Sequence, residues 1–122
     1  MAVDPSLKPL RWIGSSQRDL RALPDSVKLR VGHALYVARQ GSKHRDAKSL
    51  KGCGCAGIVE IVADFDGDTF RAVYTVRRAG VVYVLHVFQK NCKAGRATPE
   101  REMALIKQRL RESERIARIE AR

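Results

Sequence analysis

The sequence has 122 residues, enough for one domain with one hydrophobic core and too few for two. Hydrophobic residues make up 44% of the chain, an ordinary globular composition that excludes a protein disordered throughout. Lysine and arginine total 24 against 13 aspartate and glutamate residues, so the net charge is +11. A compact domain with this excess repels itself unless an anionic partner relieves the repulsion. Nucleic acid is the leading candidate for that partner, with an acidic membrane surface or an acidic protein as alternatives.

The chain lacks the features of secretion and of membrane insertion. Residues 1–6 do not combine a basic start with an apolar run, and no stretch of 18 apolar residues occurs. The three cysteines, Cys53, Cys55 and Cys92, are an odd number and cannot form a complete disulfide framework. We therefore expect a cytoplasmic protein with reduced thiols and no membrane association.

The first quarter of the chain predicts a short strand followed by a helix. Leu10, Trp12 and Ile13 favour the strand. Ser15 and Ser16, with Asp19 three residues after Ser16, resemble a weak capping box, which predicts a helix through about residue 23.

A second helix is predicted from Pro24, because proline is favoured at the first helical position. Gly41 is the expected C-terminal stop. Between them, apolar residues recur at helical spacing and predict one buried stripe: Val27, Val31, Ala34, Leu35 and Ala38.

The periodicity then changes to that of β-strands. Segments 58–63 and 69–77 flank Asp66-Gly67, a strong hairpin signal. In the second segment two sets of residues alternate and should face opposite sides of the sheet. The sets are Phe70, Ala72, Tyr74 and Val76 against Arg71, Val73, Thr75 and Arg77. Segment 81–88 is nearly all apolar, with His86 as its one polar residue, and predicts a central strand covered on both faces.

The C-terminal segment predicts a third helix. Thr98 caps it, Pro99 opens it, and Met103, Ile106 and Leu110 face the core. From about residue 111 the sequence becomes highly charged, which predicts an exposed extension or a frayed tail. Two helices, a hairpin-built antiparallel sheet and a closing helix make a single α+β domain spanning 1–122.

Three candidate ligand sites fail on context. Residues 52–57 match the dinucleotide fingerprint G-x-G-x-x-G, but no strand precedes them and no helix follows. Residues 64–68 resemble the start of a calcium loop that lacks its sixth-position glycine and its terminal glutamate. The three cysteines with His44 are a weak zinc pattern, and free thiols are the better interpretation. We expect neither a metal nor a cofactor.

Basic residues cluster around the predicted strand ends. A flexible glycine loop meeting these ends can gather the charges in one concavity, where a phosphate backbone would lie. Scattered solvated side chains are the alternative. The residues concerned are Lys48, Lys51, Arg71, Arg77, Lys90, Lys93 and Arg96.

Several stretches of the chain form an ordered set of motifs. They are Lys8–Trp12 with Ser15 and Ser16, Leu50–Gly52, the strand with Glu60, Phe70–Tyr74, Val84–Lys90 and the Thr98-Pro99 helix start. Together they resemble the RelE/ParE toxin superfamily, most closely its HigB-like, phage-derived branch. The resemblance runs from about Lys8 to Leu110, and the order and spacing of the motifs are more specific than any one of them.

The resemblance implies two N-terminal helices packed on a curved, mainly antiparallel sheet closed by a C-terminal helix. It also implies a type II toxin neutralised by a co-encoded antitoxin, expected to be a helix-turn-helix protein. In the HigB and RelE branches the toxin cleaves mRNA on the ribosome, whereas in the ParE branch it inhibits DNA gyrase. Relatives with strong ribonuclease activity often carry arginine where this chain has Val62, and a second basic residue where it has Asn91. These departures indicate that an active site depends on other groups or has reduced activity.

An endoribonuclease of this type needs a base, an acid and positive charge for the developing phosphate dianion. Arg71 is expected to stabilise the phosphate, and Lys51 and Lys90 to supply charge or a proton. His86 titrates near neutrality if it reaches the surface, although a packed core histidine is the alternative. Tyr74 could stack on a base or orient the hydroxyl, but it shares a face with Arg71 only if a bulge intervenes.

The remaining basic residues, Lys48, Arg77, Lys93 and Arg96, are expected to bind RNA. Lys51, Arg71 and Lys90 are expected to be exposed, so that alanine at each reduces cleavage at least about tenfold without unfolding the protein. A gyrase inhibitor without catalytic activity and a non-toxic nucleic-acid-binding module remain as alternatives to the ribonuclease.

Overall fold

The computed structural model describes residues 7–52, 57–77, 80–90 and 98–120. These ranges contain strands and helices in an order that confirms the predicted α+β class. In chain order they are β1 (Leu10–Trp12), α1 (Ser16–Arg21), α2 (Asp25–Arg39), β2 (Ala47–Ser49), β3 (Ile58–Phe65), β4 (Asp68–Val76), β5 (Val82–Lys90) and α3 (Glu100–Glu120).

The strands form one sheet with the order β1-β5-β4-β3-β2. Strand β1 runs parallel to β5, and every other pair is antiparallel. The predicted hairpin joins β3 to β4, and its central residues Asp66 and Gly67 have φ of 53° and 83°. Two consecutive positive φ angles are the signature of the type I′ turn, whose twist matches that of the flanking strands.

Helices cover both faces of the sheet. The face packed against α2, here called the α2 face, carries Phe70, Ala72 and Tyr74 of β4. The opposite face, packed against α3 and called the α3 face, carries Val73 of β4 and Tyr83 of β5. Burying each large apolar side chain contributes about 1.5–3 kcal/mol, so the two layers hold the sheet between them.

A bulge in β5 changes which side chains face α3. Val73 pairs with His86 and Tyr74 pairs with Val84, so Leu85 is an extra residue on β5. Leu85 packs in the apolar cluster of the α3 face, and His86 contacts side chains of α3. Two consecutive residues therefore face α3, while β4 keeps its strict alternation.

The helix termini differ in detail from the sequence expectations. Helix α1 ends at Arg21 and not at residue 23, and α2 begins at Asp25 after Pro24. Ser15 precedes α1 but makes no side-chain cap; its hydroxyl donates to the Asp19 carboxylate at 2.7 Å instead. Gly41, with φ of 89°, follows α2 as expected, and the backbone N–H groups of residues 41 and 42 close a Schellman motif.

Helix α3 continues past Arg111 as far as Glu120. Ser113 is buried, and its hydroxyl donates to the carbonyl of Leu110 at 2.7 Å. Ile116 and Ala117 pack at the edge of the α3-face cluster. None of the helices in the described ranges combines the length and apolar character that a bilayer span requires.

Candidate functional site on the α3 face

Four charged residues cross the α3 face, one from each of four adjacent strands. Lys48 of β2 lies opposite Glu60 of β3. Glu60 pairs with Val73, which places Arg71 of β4 diagonally beside it. Lys90 of β5 pairs with Thr69 and is in turn diagonal to Arg71. Because diagonal neighbours are within reach of long side chains, these residues form one row, here called the charged row.

The centre of the charged row is a buried ion pair. Nη1 of Arg71 donates to Oε2 of Glu60 at 2.5 Å, and Nζ of Lys48 lies 3.8 Å from Oε1 of the same carboxylate. The Arg71 and Glu60 side chains are 10% and 6% exposed, whereas that of Lys48 is 63% exposed. Solvent therefore reaches the row mainly at its Lys48 end.

The guanidinium of Arg71 has donors beyond the one that Glu60 uses. Its Nε is buried and has no hydrogen-bond partner in the described part of the chain. An arginine carries five N–H donors in a fixed planar fork, and a buried donor without a partner is costly. Arg71 thus keeps one buried donor, Nε, that Glu60 does not use.

The expectation that Arg71 and Lys90 are exposed is wrong. Arg71 is 9% exposed and Lys90 is 4% exposed, because both project from interior strands of a covered sheet face. Lys51, which follows β2, is exposed as expected. Replacing either buried residue therefore affects folding as well as any chemistry.

A second polar cluster joins His86 to α3. Nε2 of His86 contacts a carboxylate oxygen of Glu102, and Nη1 of Arg109 lies 3.2 Å from Nδ1 of His86. Arginine can only donate, so Nδ1 accepts and the ring proton is on Nε2, where it faces Glu102. Burial lowers the pKa of His86, and the Arg109 charge lowers it further against the opposing effect of Glu102.

Arg109 extends this cluster to α1. It also donates to the carbonyl of Leu85 at 3.0 Å and to the Ser15 hydroxyl at 2.9 Å. Gly14, with φ of 57°, lies against this guanidinium, and a Cβ there would come within 2.7 Å of Nε. The cluster therefore ties α1, β5 and α3 together beside the charged row.

The two clusters are linked through Phe88. The rings of His86 and Phe88 are stacked with their centroids 4.8 Å apart. Phe88 in turn pairs with Arg71 across β4 and β5. The structure thus brings His86 near the charged row, but with both ring nitrogens already engaged by α3.

Other predicted site residues lie elsewhere. Tyr74 is buried on the α2 face, where burial raises its pKa, and the bulge that could have moved it occurs in β5. Arg77 follows the last residue of β4, about 20 Å along the chain from Arg71, and donates to Glu114 at 3.0 Å. Lys93 and Arg96 lie outside the described residues. The predicted roles of Lys93 and Arg96 in RNA binding therefore stay predictions. Tyr74 does not share a face of the sheet with Arg71.

Sequence reasoning treated the strand with Glu60 only as a family motif and missed its place in the site. The sequence does contain a signal for the pairing of Glu60 with Arg71, because the Asp66-Gly67 turn fixes the register of the hairpin. That register pairs Glu60 with Val73 and makes Arg71 its diagonal neighbour. A carboxylate and a guanidinium at such positions are expected to pair.

The cysteines considered as metal ligands, Cys53, Cys55 and Cys92, lie outside the described residues. Within the described ranges, no group of three or more histidine, cysteine, aspartate or glutamate residues is arranged to hold a metal ion. His44 instead accepts a hydrogen bond at Nδ1 from the backbone N–H of Asp46, at 3.0 Å.

Comparison with known proteins places the chain in a family. Among curated proteins none matches the sequence. The solved structure of the RelBE2 toxin–antitoxin complex from Mycobacterium tuberculosis is similar, with a TM-score of 0.48 and 21% identity, covering 69% of this chain and 99% of that one. The family described as "Phage derived protein Gp49-like" matches residues 18–111, a span that includes the charged row and the His86 cluster up to Arg109. The protein therefore belongs to the Gp49-like family, which confirms the resemblance to the phage-derived, HigB-like branch of the RelE/ParE superfamily.

Proposed function

We propose that this protein is the toxin of a type II toxin–antitoxin module and that it inhibits translation by cleaving mRNA on the ribosome. The observation that carries the proposal is the charged row, in which three cations and one carboxylate share a single sheet face and two of the cations, Lys48 and Arg71, flank the carboxylate. Such a row supplies both the positive charge and the proton-transfer groups that RNA transesterification needs.

The chemistry uses the RNA's own 2′-hydroxyl as the nucleophile, so the protein has to move protons and stabilise charge. Arg71 is suited to the phosphate, because its Nε is an unused donor beside the paired Nη1. Lys90 extends from the neighbouring strand and supplies charge or the proton for the leaving oxygen. Lys48, at the exposed end of the row, and Lys51, exposed just after β2, bind the RNA backbone.

His86 is better suited to holding the site together than to transferring protons. In the neutral ring Nδ1 accepts from Arg109 and Nε2 donates to Glu102, so neither nitrogen is available to RNA. His86 stacks on Phe88, the β5 residue that pairs with Arg71, and so supports the strand beside Arg71. We therefore assign His86 a positioning role in the proposed reaction.

The partner that fits this proposal is a co-encoded antitoxin. Helix α3 packs on the face that carries the charged row, and its first turn contains Glu102, the partner of His86. An antitoxin that covers the exposed Lys48 end of the row blocks access to Arg71, and one that displaces α3 breaks the contact between His86 and Glu102 beside the row. A small helix-turn-helix protein encoded beside this chain is the expected candidate.

Gyrase inhibition is the second candidate, and Val62 is the feature that favours it. Val62 pairs with Arg71 at the position where relatives with strong ribonuclease activity carry arginine. A row with one cation fewer stabilises a phosphate dianion less, which fits a protein that binds without cleaving.

Induction of the protein without its partner separates the two candidates. A ribonuclease stops translation and cuts messages at defined positions while DNA supercoiling stays normal. Purified protein should likewise cleave mRNA on programmed ribosomes. The Arg71→Lys variant should cleave far more slowly, because lysine lacks the planar guanidinium fork of arginine. The Lys28→Ala variant, changed on α2, should cleave at the wild-type rate. Intact messages with accumulating DNA breaks would assign the protein to the gyrase inhibitors, and normal growth at verified expression would contradict both.

A further inference from the structure

The proposed cleavage needs a base for the 2′-hydroxyl, and the charged row contains a single carboxylate. We propose that Glu60 is this general base, and that in the RNA-free protein its charge competes with the scissile phosphate for Arg71. The inference rests on the proposed function and adds to it a residue with two opposing effects. One effect accelerates the chemistry, and the other weakens RNA binding.

The other candidate bases on this face are engaged or misplaced. Tyr74 is on the α2 face, and both nitrogens of His86 are bound by α3 side chains. The lysines and Arg71 carry protons and act as acids or as fixed charge. Glu60 alone among the described residues combines a carboxylate with direct contact to the arginine that faces the phosphate.

Two further carboxylates, Glu102 of α3 and Asp64 of β3, have other partners. Glu102 receives the Nε2 proton of His86. Asp64 is exposed, accepts from the Thr69 hydroxyl at 2.8 Å, and lies about 13 Å along β3 from Glu60. Asp64 is therefore a matched control, since it has the same charge, the same strand face and the same diagonal register to Arg71, but bonds Thr69 where Glu60 bonds Arg71.

The competition follows from the shared guanidinium. Glu60 holds Nη1 of Arg71 at 2.5 Å, while Nε of the same group is the donor left for a phosphate oxygen. An anion bound there faces the Glu60 carboxylate across one guanidinium, and two like charges at this separation repel. Lys48, 3.8 Å from Glu60, offsets part of this repulsion.

Residues of the charged row both accept and supply the protons that the chemical step requires. Glu60 takes the 2′-hydroxyl proton, the 2′-oxygen forms a bond to phosphorus, and the bond from phosphorus to the 5′-oxygen breaks. The departing 5′-oxygen takes a proton from the Lys90 ammonium, and the products are a 2′,3′-cyclic phosphate and a free 5′-hydroxyl. Arg71 remains on the non-bridging oxygens throughout.

Glu60→Gln tests both effects at once. The single-turnover rate on mRNA-programmed ribosomes should fall at least about 100-fold, the usual contribution of a general base. The affinity for an all-2′-deoxy oligonucleotide, which cannot be cleaved, should rise about threefold, because a repulsive charge is gone. The limb of the pH–rate profile that reports the base should also disappear.

Asp64→Asn should leave the rate, the affinity and the pH profile at wild-type values. A folded Glu60→Gln protein that cleaves at the wild-type rate, or one that loses affinity, overturns the inference. An equal loss of rate in Asp64→Asn overturns it as well, since the effect then belongs to net charge. A wild-type protein that cleaves no mRNA refutes the proposed function itself, which is a different result from an active Glu60→Gln variant.

Glu60→Asp covers the case in which the glutamine variant does not fold. It keeps the charge of the buried pair but withdraws the carboxylate by one methylene. A base that no longer reaches the hydroxyl lowers the rate at least about tenfold while affinity for the deoxy oligonucleotide is unchanged. A wild-type rate in this folded variant rejects Glu60 as the base.

Discussion

The two faces of the sheet are built from the same strands but differ in the polarity of the side chains that they bury. The α2 face is aliphatic and aromatic, with Phe70, Ala72 and Val84 packed against α2. The α3 face carries every buried polar or charged side chain of β3, β4 and β5 within the described residues. They are Glu60, Arg71, Thr75, His86 and Lys90. Burying a charge is costly even when it is paired, so the α3 face contains a source of instability that the α2 face lacks.

This difference predicts the largest effect for a broken ion pair on the α3 face. Arg71→Ala should lower the free energy of unfolding by about 3–5 kcal/mol, because the Glu60 carboxylate stays buried with Lys48 as its remaining neighbour at 3.8 Å. Equilibrium urea unfolding measures the loss. Cleavage by the folded fraction should also fall at least about tenfold, as for Lys90→Ala and Lys51→Ala.

The double variant Glu60→Leu/Arg71→Met is the control for this interpretation. It removes both charges, so most of the lost stability should return while cleavage stays absent. A single Arg71→Ala variant as stable as the wild type would show that the pair is not a buried ion pair in solution.

The α2 face should respond with stability alone. Ile61 is 1% exposed in the α2-face cluster, and Ile61→Ala should destabilise the protein by about 2–5 kcal/mol through lost burial and a cavity. Cleavage per folded molecule should be unchanged, because Ile61 lies on the face of the sheet opposite the charged row. A rate that falls in proportion to stability would show that the two faces are coupled.

Most of the fold was predictable because its signals are local. The Asp66-Gly67 turn and the helical stripe on α2 each depend on residues close in sequence, and both predictions are confirmed. Strand β2 was missed, because Ala47–Ser49 is short and its strand identity comes only from pairing with β3. The parallel pairing of β1 with β5 was also missed, since no local pattern specifies a partner 72 residues away.

The site was predictable only in part, for a related reason. Lys48, Arg71 and Lys90 were selected for charge, and the strand register does bring them to one face. The β5 bulge has no sequence signal that we identified, yet it turns His86 toward Glu102 and Arg109. Burial of Arg71 depends on the whole α3 layer, so its exposure was misjudged.

The pH dependence of the free energy of unfolding should show a smaller difference between the two faces than the substitutions above. The pKa of His86 is lowered in the folded protein from 6.5, chiefly by burial, so the folded state resists a proton that the unfolded chain accepts. Stability is therefore complete above about pH 6.5 and declines as the pH falls below that value. His86→Gln should reduce this decline in urea unfolding measured from pH 7.5 to 5.

His33→Ala is the matched control for the titration. His33 is exposed on α2, away from the α3 face, and its replacement should leave the decline in place. An unchanged decline in His86→Gln would assign the pH dependence to other groups and weaken the argument that His86 is held neutral.

The smallest effect is expected at the exposed end of the charged row. Lys48→Ala should change the free energy of unfolding by less than about 1 kcal/mol, because its side chain is 63% exposed and lies 3.8 Å from Glu60. RNA affinity, by contrast, should lose one phosphate contact. The slope of log K against log salt concentration should then become shallower by about 0.7, the value for one neutralised phosphate on a single strand.

Lys28→Ala removes the same net charge from the opposite side of the molecule and should leave the slope unchanged. Equal slopes for the two variants would mean that RNA responds to the overall charge of +11 and not to the charged row. A shallower slope in Lys48→Ala alone would indicate that the RNA backbone contacts the exposed Lys48 end of the charged row.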